Sequence, residues 1–145
     1  MLEITVINGP NLASLGRREP EVYGRETLPE ILSGLSAEAE RMGARVSAFQ
    51  SDVEGEIVRA VEEAAGRGGA LVINPGAYSH SSIAILDALN AFPGPVIEVH
   101  ISNVHRREPF RRRLVTAMGA DAVISGAGSM GYSLALSLAV NLLRR

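Results

Sequence analysis

A carboxylate and an imidazole stand two residues apart at Glu98 and His100, closing a run of branched aliphatic residues. Residues two apart on a β-strand leave the same face. A carboxylate so placed fixes the tautomer of its histidine and stabilises the protonated ring, as a histidine general acid requires. A structural ion pair at a strand end would use the same two residues. Two other aliphatic runs also end in polar groups. Leu2–Asn8 leads into Gly9-Pro10-Asn11, and Ala70–Asn74 leads into Pro75-Gly76. One asparagine after a strand is ordinary turn chemistry. If the three strands are neighbours, Asn11, Asn74 and His100 converge on one site.

Other residues narrow the chemistry by what they leave out. The chain has no cysteine, which removes disulfides, thiolate metal sites and thiol nucleophiles together. It has no lysine either, so all 14 basic residues are arginines. Schiff-base catalysis, lysine general bases and a P-loop lysine are thereby excluded. The remaining histidines, His80 and His105, lack the spacing of a metal-binding pair, and no metal is expected. His80 fits helix-start capping among Ser79, Ser81 and Ser82, and His105 fits a surface loop. Gly126-Ala127-Gly128-Ser129-Met130-Gly131 spells the dinucleotide fingerprint GxGxxG. Too little chain follows it to supply a second strand with a ribose-binding acid. Close packing of a helix on a strand, with a tight turn, is the expected role.

These residues need a scaffold, and the hydrophobic pattern describes one. Five aliphatic runs, Leu2–Asn8, Ala44–Gln50, Ala70–Asn74, Val96–His100 and Ala122–Ser125, alternate with amphipathic stretches. The stretches predict helices near Leu28–Met42, Val53–Arg67, Ser82–Ala91, Pro109–Met118 and Tyr132–Arg144. Thr27 to Glu30 and Ser51 to Glu54 have the spacing of capping boxes. Strict alternation of strand and helix predicts a parallel sheet covered on both faces. The expected fold class is α/β, a flavodoxin-like, doubly wound five-stranded parallel sheet of order 2-1-3-4-5. No repeat or linker divides the 145 residues, so a single domain spanning 1–145 is expected. Gly9–Glu26 shows no periodicity and carries several arginines, Glu19 and Tyr23, which predicts an active-site lid.

With 46% hydrophobic and 21% charged residues the composition is that of a globular protein. A net charge of −2 gives no long-range attraction to nucleic acid or to an anionic membrane. No stretch reaches the length of a membrane span and no signal peptide is evident, so a cytoplasmic location is expected.

In order and spacing, the motifs resemble those of the type II 3-dehydroquinate dehydratases. The resemblance rests on Gly9-Pro10-Asn11-Leu12, on Leu15 to Pro20 leading to Tyr23-Gly24, and on Asn74 to Ala77 with His80. It continues through Glu98 to His105, then Arg107, Phe110, Arg111 and Gly131-Tyr132. It implies elimination of water from the substrate 3-dehydroquinate to give 3-dehydroshikimate, in the shikimate pathway, without a cofactor. Tyr23 would be the base, and since a free tyrosine keeps its proton up to about pH 10, Arg18 and Arg107 would help it ionise. His100 would be the general acid, oriented by Glu98, and Asn11 would hold a water against the enolate oxygen. Asn74 and the backbone amides of Ile101 and Ser102 would bind the substrate carboxylate, with His80 and Arg111 on the ring hydroxyls. Asp87 would come from a neighbouring subunit of a homo-oligomer, a trimer-based dodecamer. Arg113-Leu114-Val115 departs from the His-Ser-Tyr frequent in the family, and Asp52-Val53 from its common Asn-His. Two other readings are an inactive or substrate-shifted paralogue and a flavodoxin-like binding module. A phosphoacceptor module would want acidic residues after strand one and a lysine after strand five, and the chain has neither.

Overall fold

A computed structural model describes residues 1–145. Inside the sheet lies β1 (Leu2–Asn8), a run of branched residues whose last five positions are buried. β2 (Ala44–Gln50) and β3 (Ala70–Asn74) pair with its two sides, followed by β4 (Val96–His100) and β5 (Ala122–Ser125). All pairings are parallel, and the order is β2-β1-β3-β4-β5, as the alternation predicts. β3 and β4 are buried throughout, whereas the edge strands β2 and β5 are partly exposed.

Side-chain alternation sends each strand's apolar residues to two cores. Ile4, Val6, Val72, Ile97 and Val99 pack with α2 (Leu28–Arg41) and α5 (Met130–Leu143) on one face. Ile7, Leu71, Ile73 and Val96 pack with α3 (Glu54–Arg67) and α4 (Ile83–Ala91) on the other. Glu98 and His100 have the parity of Val96 and so leave the sheet on the α4 side.

The capping box at α2 forms, with Thr27 Oγ1 accepting from Glu30 N and donating to Glu30 Oε1. The one expected at Ser51 to Glu54 does not. Ser51 Oγ instead accepts from Val53 N and donates to Glu56, and α3 starts at Glu54 behind Val53. Glu54 itself accepts from Ser82 Oγ, and the same hydroxyl caps α4 by accepting from Ile85 N. The helix expected over Pro109–Met118 is two short 3-10 turns, Pro109–Arg112 and Thr116–Gly119. Extended backbone at Arg113 separates them.

The stretch 9–26 is locally ordered despite its lack of periodicity. It contains a 3-10 turn at Leu12–Ser14 and the one-turn helix α1 (Pro20–Tyr23), and it is anchored by the buried side chains of Leu12 and Leu15. At GxGxxG, Gly126 turns with φ 93° against Asn103, and Gly131 lies where a Cβ would meet Val99 Cγ1 at 3.2 Å. The motif therefore serves close helix–strand packing, as expected.

Candidate active site

The carboxyl ends of β1, β3 and β4 are drawn together by backbone. Gly9 N donates to the Asn74 carbonyl at 2.8 Å. A Cβ on Gly9 would stand 2.4 Å from the Pro75 carbonyl oxygen, so only glycine lets the loops after β1 and β3 meet this closely. A cleft of about 590 Å³, open to solvent, lies over these strand ends. Asn11, Arg18, Tyr23, Asn74, His80, His100, Ile101, Ser102, Arg107 and Arg111 line it, together with Pro10, Leu12, Gly76, Ala77 and Val104. The structure thus brings together nearly every residue singled out from the sequence. No carboxylate lines the cleft, while three arginines and two histidines do. Such a lining selects an anion.

Tyr23 is half-buried at the end of α1, with its phenol held by arginine. Arg107 Nη1 donates to Tyr23 Oη at 2.8 Å and to Ser102 Oγ at 3.2 Å. The guanidinium carbons of Arg18 and Arg107 lie 5.1 and 5.2 Å from the Tyr23 ring centroid. Any negative charge arising on that oxygen meets a donor already in place. Glu108 sits outside the cleft, where it accepts from Arg111 Nε at 2.8 Å. That hydrogen bond, joined by one to its own backbone, holds the Glu108 carboxyl below its usual range.

Glu98 does not line the cleft. It is fully buried behind His100, whose Nε2 is 2.7 Å from Glu98 Oε2. His100 Nδ1 has no protein partner and is not sealed from solvent, so it opens on the cleft. An imidazole on the cleft with a buried carboxylate behind it is the pairing that the two-residue spacing implies. Glu98 Oε1 accepts from the buried hydroxyl of Thr116, a residue that carried no signal in the sequence.

Asn11 adopts the left-handed conformation, φ 68°. Its backbone N–H donates to Asp52 Oδ1 at 3.0 Å, and Gln50 Nε2 donates to the same oxygen and to the Gly9 carbonyl. Tyr78 Oη donates to the Asp52 carbonyl at 2.8 Å, so one short segment holds both loops. Asn74 uses Oδ1 to accept from Gly76 N and Nδ2 to donate to Tyr132 Oη, which donates on to Asn8 Oδ1. The Tyr132 phenol is enclosed, and burial raises its pKa well above the ordinary value against the opposing pull of the Asn74 hydrogen bond. Asn8 Nδ2 is buried without a partner.

His80 is held by the Arg113 carbonyl, 2.9 Å from Nδ1. A carbonyl only accepts, so Nδ1 carries the hydrogen. His80 therefore does not cap α4, a task done by Ser82. Asp87 is the one proposed site residue that the fold leaves elsewhere. It is exposed on α4, beside a groove formed with Val58, Val61, Ala84 and Ala88, and is absent from the cleft. No three His, Asp or Glu side chains are grouped as metal ligands would be. No helix is long and apolar enough to cross a membrane.

Residues 2–140 match the family described as Dehydroquinase class II. The chain belongs to that family. It is 50% identical over 141 residues to a 3-dehydroquinate dehydratase 2 of Agrobacterium fabrum, covering 97% of this chain and 96% of the relative. A catabolic 3-dehydroquinase of Aspergillus clavatus is also 50% identical, over 133 residues, covering 92% of this chain and 89% of that one. Among solved structures, the type II dehydroquinase from Propionibacterium acnes superposes with a TM-score of 0.94 at 42% identity, covering 97% of both chains. The dehydroquinase fold and the sheet order read from the sequence are thus the same.

Proposed function

We propose that this dehydroquinase is a 3-dehydroquinate dehydratase in which Tyr23 and His100 act in turn on one bound substrate. The observation that carries the reading is the Arg107 N–H on the Tyr23 oxygen, in the same cleft as a histidine backed by a buried glutamate. Tyr23 takes the proton from C2, and the electron pair moves onto the C3 carbonyl as an enolate. Asn11 holds a water against that oxygen, where a preorganised donor meets charge as it develops. His100 then donates to the C1 hydroxyl, the carbon–oxygen bond breaks, and water leaves to give 3-dehydroshikimate. No cofactor or metal takes part in these steps.

Asn74 has a second amide hydrogen free for the substrate carboxylate, alongside the backbone N–H groups of Ile101 and Ser102. Arg111 and His80 bind the ring hydroxyls, and Arg18 closes over Tyr23 as part of a lid formed by residues 9–26. Family membership implies a homo-oligomer, a trimer-based dodecamer, in which Asp87, exposed and outside this chain's own cleft, serves the site of a neighbouring copy. The location proposed is cytoplasmic.

The test follows absorbance of the conjugated enone when purified protein meets 3-dehydroquinate. Wild type should generate it, and Tyr23→Phe should not, while calorimetry shows substrate binding largely retained. Absence of the enone with wild type would overturn the reading, and normal turnover in Tyr23→Phe would remove tyrosine as the base.

A further inference from the structure

Glu98 is a fully enclosed carboxylate with a single charged contact, His100, and no arginine nitrogen lies within 4 Å of it. Removing a carboxylate from water is expensive unless donors satisfy its oxygens. Oε2 has the imidazole. Oε1 has the hydroxyl of Thr116, which is itself fully buried and comes from a turn 18 residues further along the chain. That turn is pinned in place, since Val115 N donates to the Ser79 carbonyl at 2.7 Å. Arg113, three residues before Thr116, holds His80 through its carbonyl. One segment, 113–116, therefore reaches both histidines of the cleft.

We propose that Thr116 is a positioning residue for His100, acting through Glu98. The inference rests on the acid role given to His100 above. To donate from Nδ1 into the cleft while keeping a hydrogen on Nε2 for Glu98, His100 must be an imidazolium. Its partner must then remain an anion in a dry pocket. The Thr116 hydroxyl makes that possible by donating to the oxygen that His100 does not serve. With that donor lost, the carboxylate's cheapest relief is to take the Nε2 proton. The pair then stays neutral overall, but its proton sits on the carboxyl, and the imidazole is a weaker acid. The groups around the pair are few. At the register of Glu98 the flanking strands present Ile73 and Val123, and at that of His100 β5 presents Ser125. Tyr23, His80, Arg18, Arg107 and Arg111 share the cleft with His100.

The test compares Thr116→Val, which keeps the branched shape without the hydroxyl, with Thr116→Ser, which keeps the hydroxyl. Side-chain ¹⁵N shifts of His100 are recorded in ligand-free protein over a pH series, and turnover is followed by enone absorbance. In wild type the ring should carry a hydrogen on both nitrogens, as donation to Glu98 and into the cleft together require. In Thr116→Val it should show neutral-ring shifts, and kcat should fall about 10- to 100-fold with KM little changed, the range for a hydrogen bond to a charged group. Thr116→Ser should restore both. If the valine variant does not fold, Thr116→Cys, a weaker donor of similar size, should give intermediate shifts. Wild-type ring shifts in the valine or cysteine variant would overturn the inference. Wild type that fails to dehydrate the substrate would overturn the functional reading alone, because the ring shifts are read without substrate.

Discussion

Arg107→Ala removes a guanidinium that is mostly buried and donates to the Tyr23 oxygen at 2.8 Å. A hydrogen bond to a charged group contributes about 1.5–3 kcal/mol. The Coulomb attraction between unit charges about 4 Å apart near a protein surface is about 4 kcal/mol. These describe one contact from two sides and do not add, so about 3 kcal/mol is the expected loss when Tyr23 works as an anion. That corresponds to a fall in kcat of about 10²-fold. The assay is enone formation at saturating substrate, with calorimetric binding measured alongside to separate a lost base from lost affinity. Arg107→Lys should lie between wild type and alanine, since an ammonium keeps the charge but cannot reproduce the guanidinium's fork to Tyr23 and Ser102. A kcat within about threefold of wild type for Arg107→Ala would refute the reasoning, because a factor of three is only about 0.7 kcal/mol.

His100→Ala should lower kcat by about 10²–10⁴-fold, the range for a positioned general acid, with circular dichroism unchanged. Asp52→Ala frees the left-handed Asn11 and should reduce kcat about fivefold, the worth of roughly 1 kcal/mol, whereas Asp52→Asn keeps the acceptor and should stay near wild type. Above about pH 10 the unfolded chain ionises Tyr132 while the folded chain holds its proton, so folding stability falls as pH rises. Unfolding free energies from urea titrations between pH 9 and 11 should therefore drop faster in wild type than in Tyr132→Phe, by up to about 1.4 kcal/mol per pH unit, and parallel curves would remove this contribution.

The sheet was legible because each aliphatic run is short, closed by a polar residue and followed by an amphipathic stretch. The polar strand ends were legible for the same reason, which is why the sequence pattern alone places Asn11, Asn74 and His100 together. Tyr23, Arg18 and Arg107 lie in aperiodic segments, and there the family motifs supplied what periodicity did not. Local patterns failed where a distant partner competed. Glu54 had the spacing of a capping glutamate for Ser51, but the fold brings Ser82 to it and leaves Ser51 to Glu56. Thr116 was invisible because a lone threonine in an irregular stretch gives no sign of a buried carboxylate 18 residues earlier. Asp87 lies on an exposed helix face, and nothing within one chain links it to the cleft.

The chain has three tyrosines and no tryptophan, and the tyrosines sit in three different surroundings. Tyr132 is sealed in the core, Tyr78 is tied to a backbone carbonyl, and Tyr23 faces the cleft under two guanidinium groups. The near-ultraviolet spectrum is therefore uncrowded, and Tyr132 is silent through neutral pH. In a Tyr78→Phe background, phenolate absorbance reports on Tyr23 alone. The protein thus carries its own chromophore at the proposed base, so the first proton transfer can be watched optically without a label.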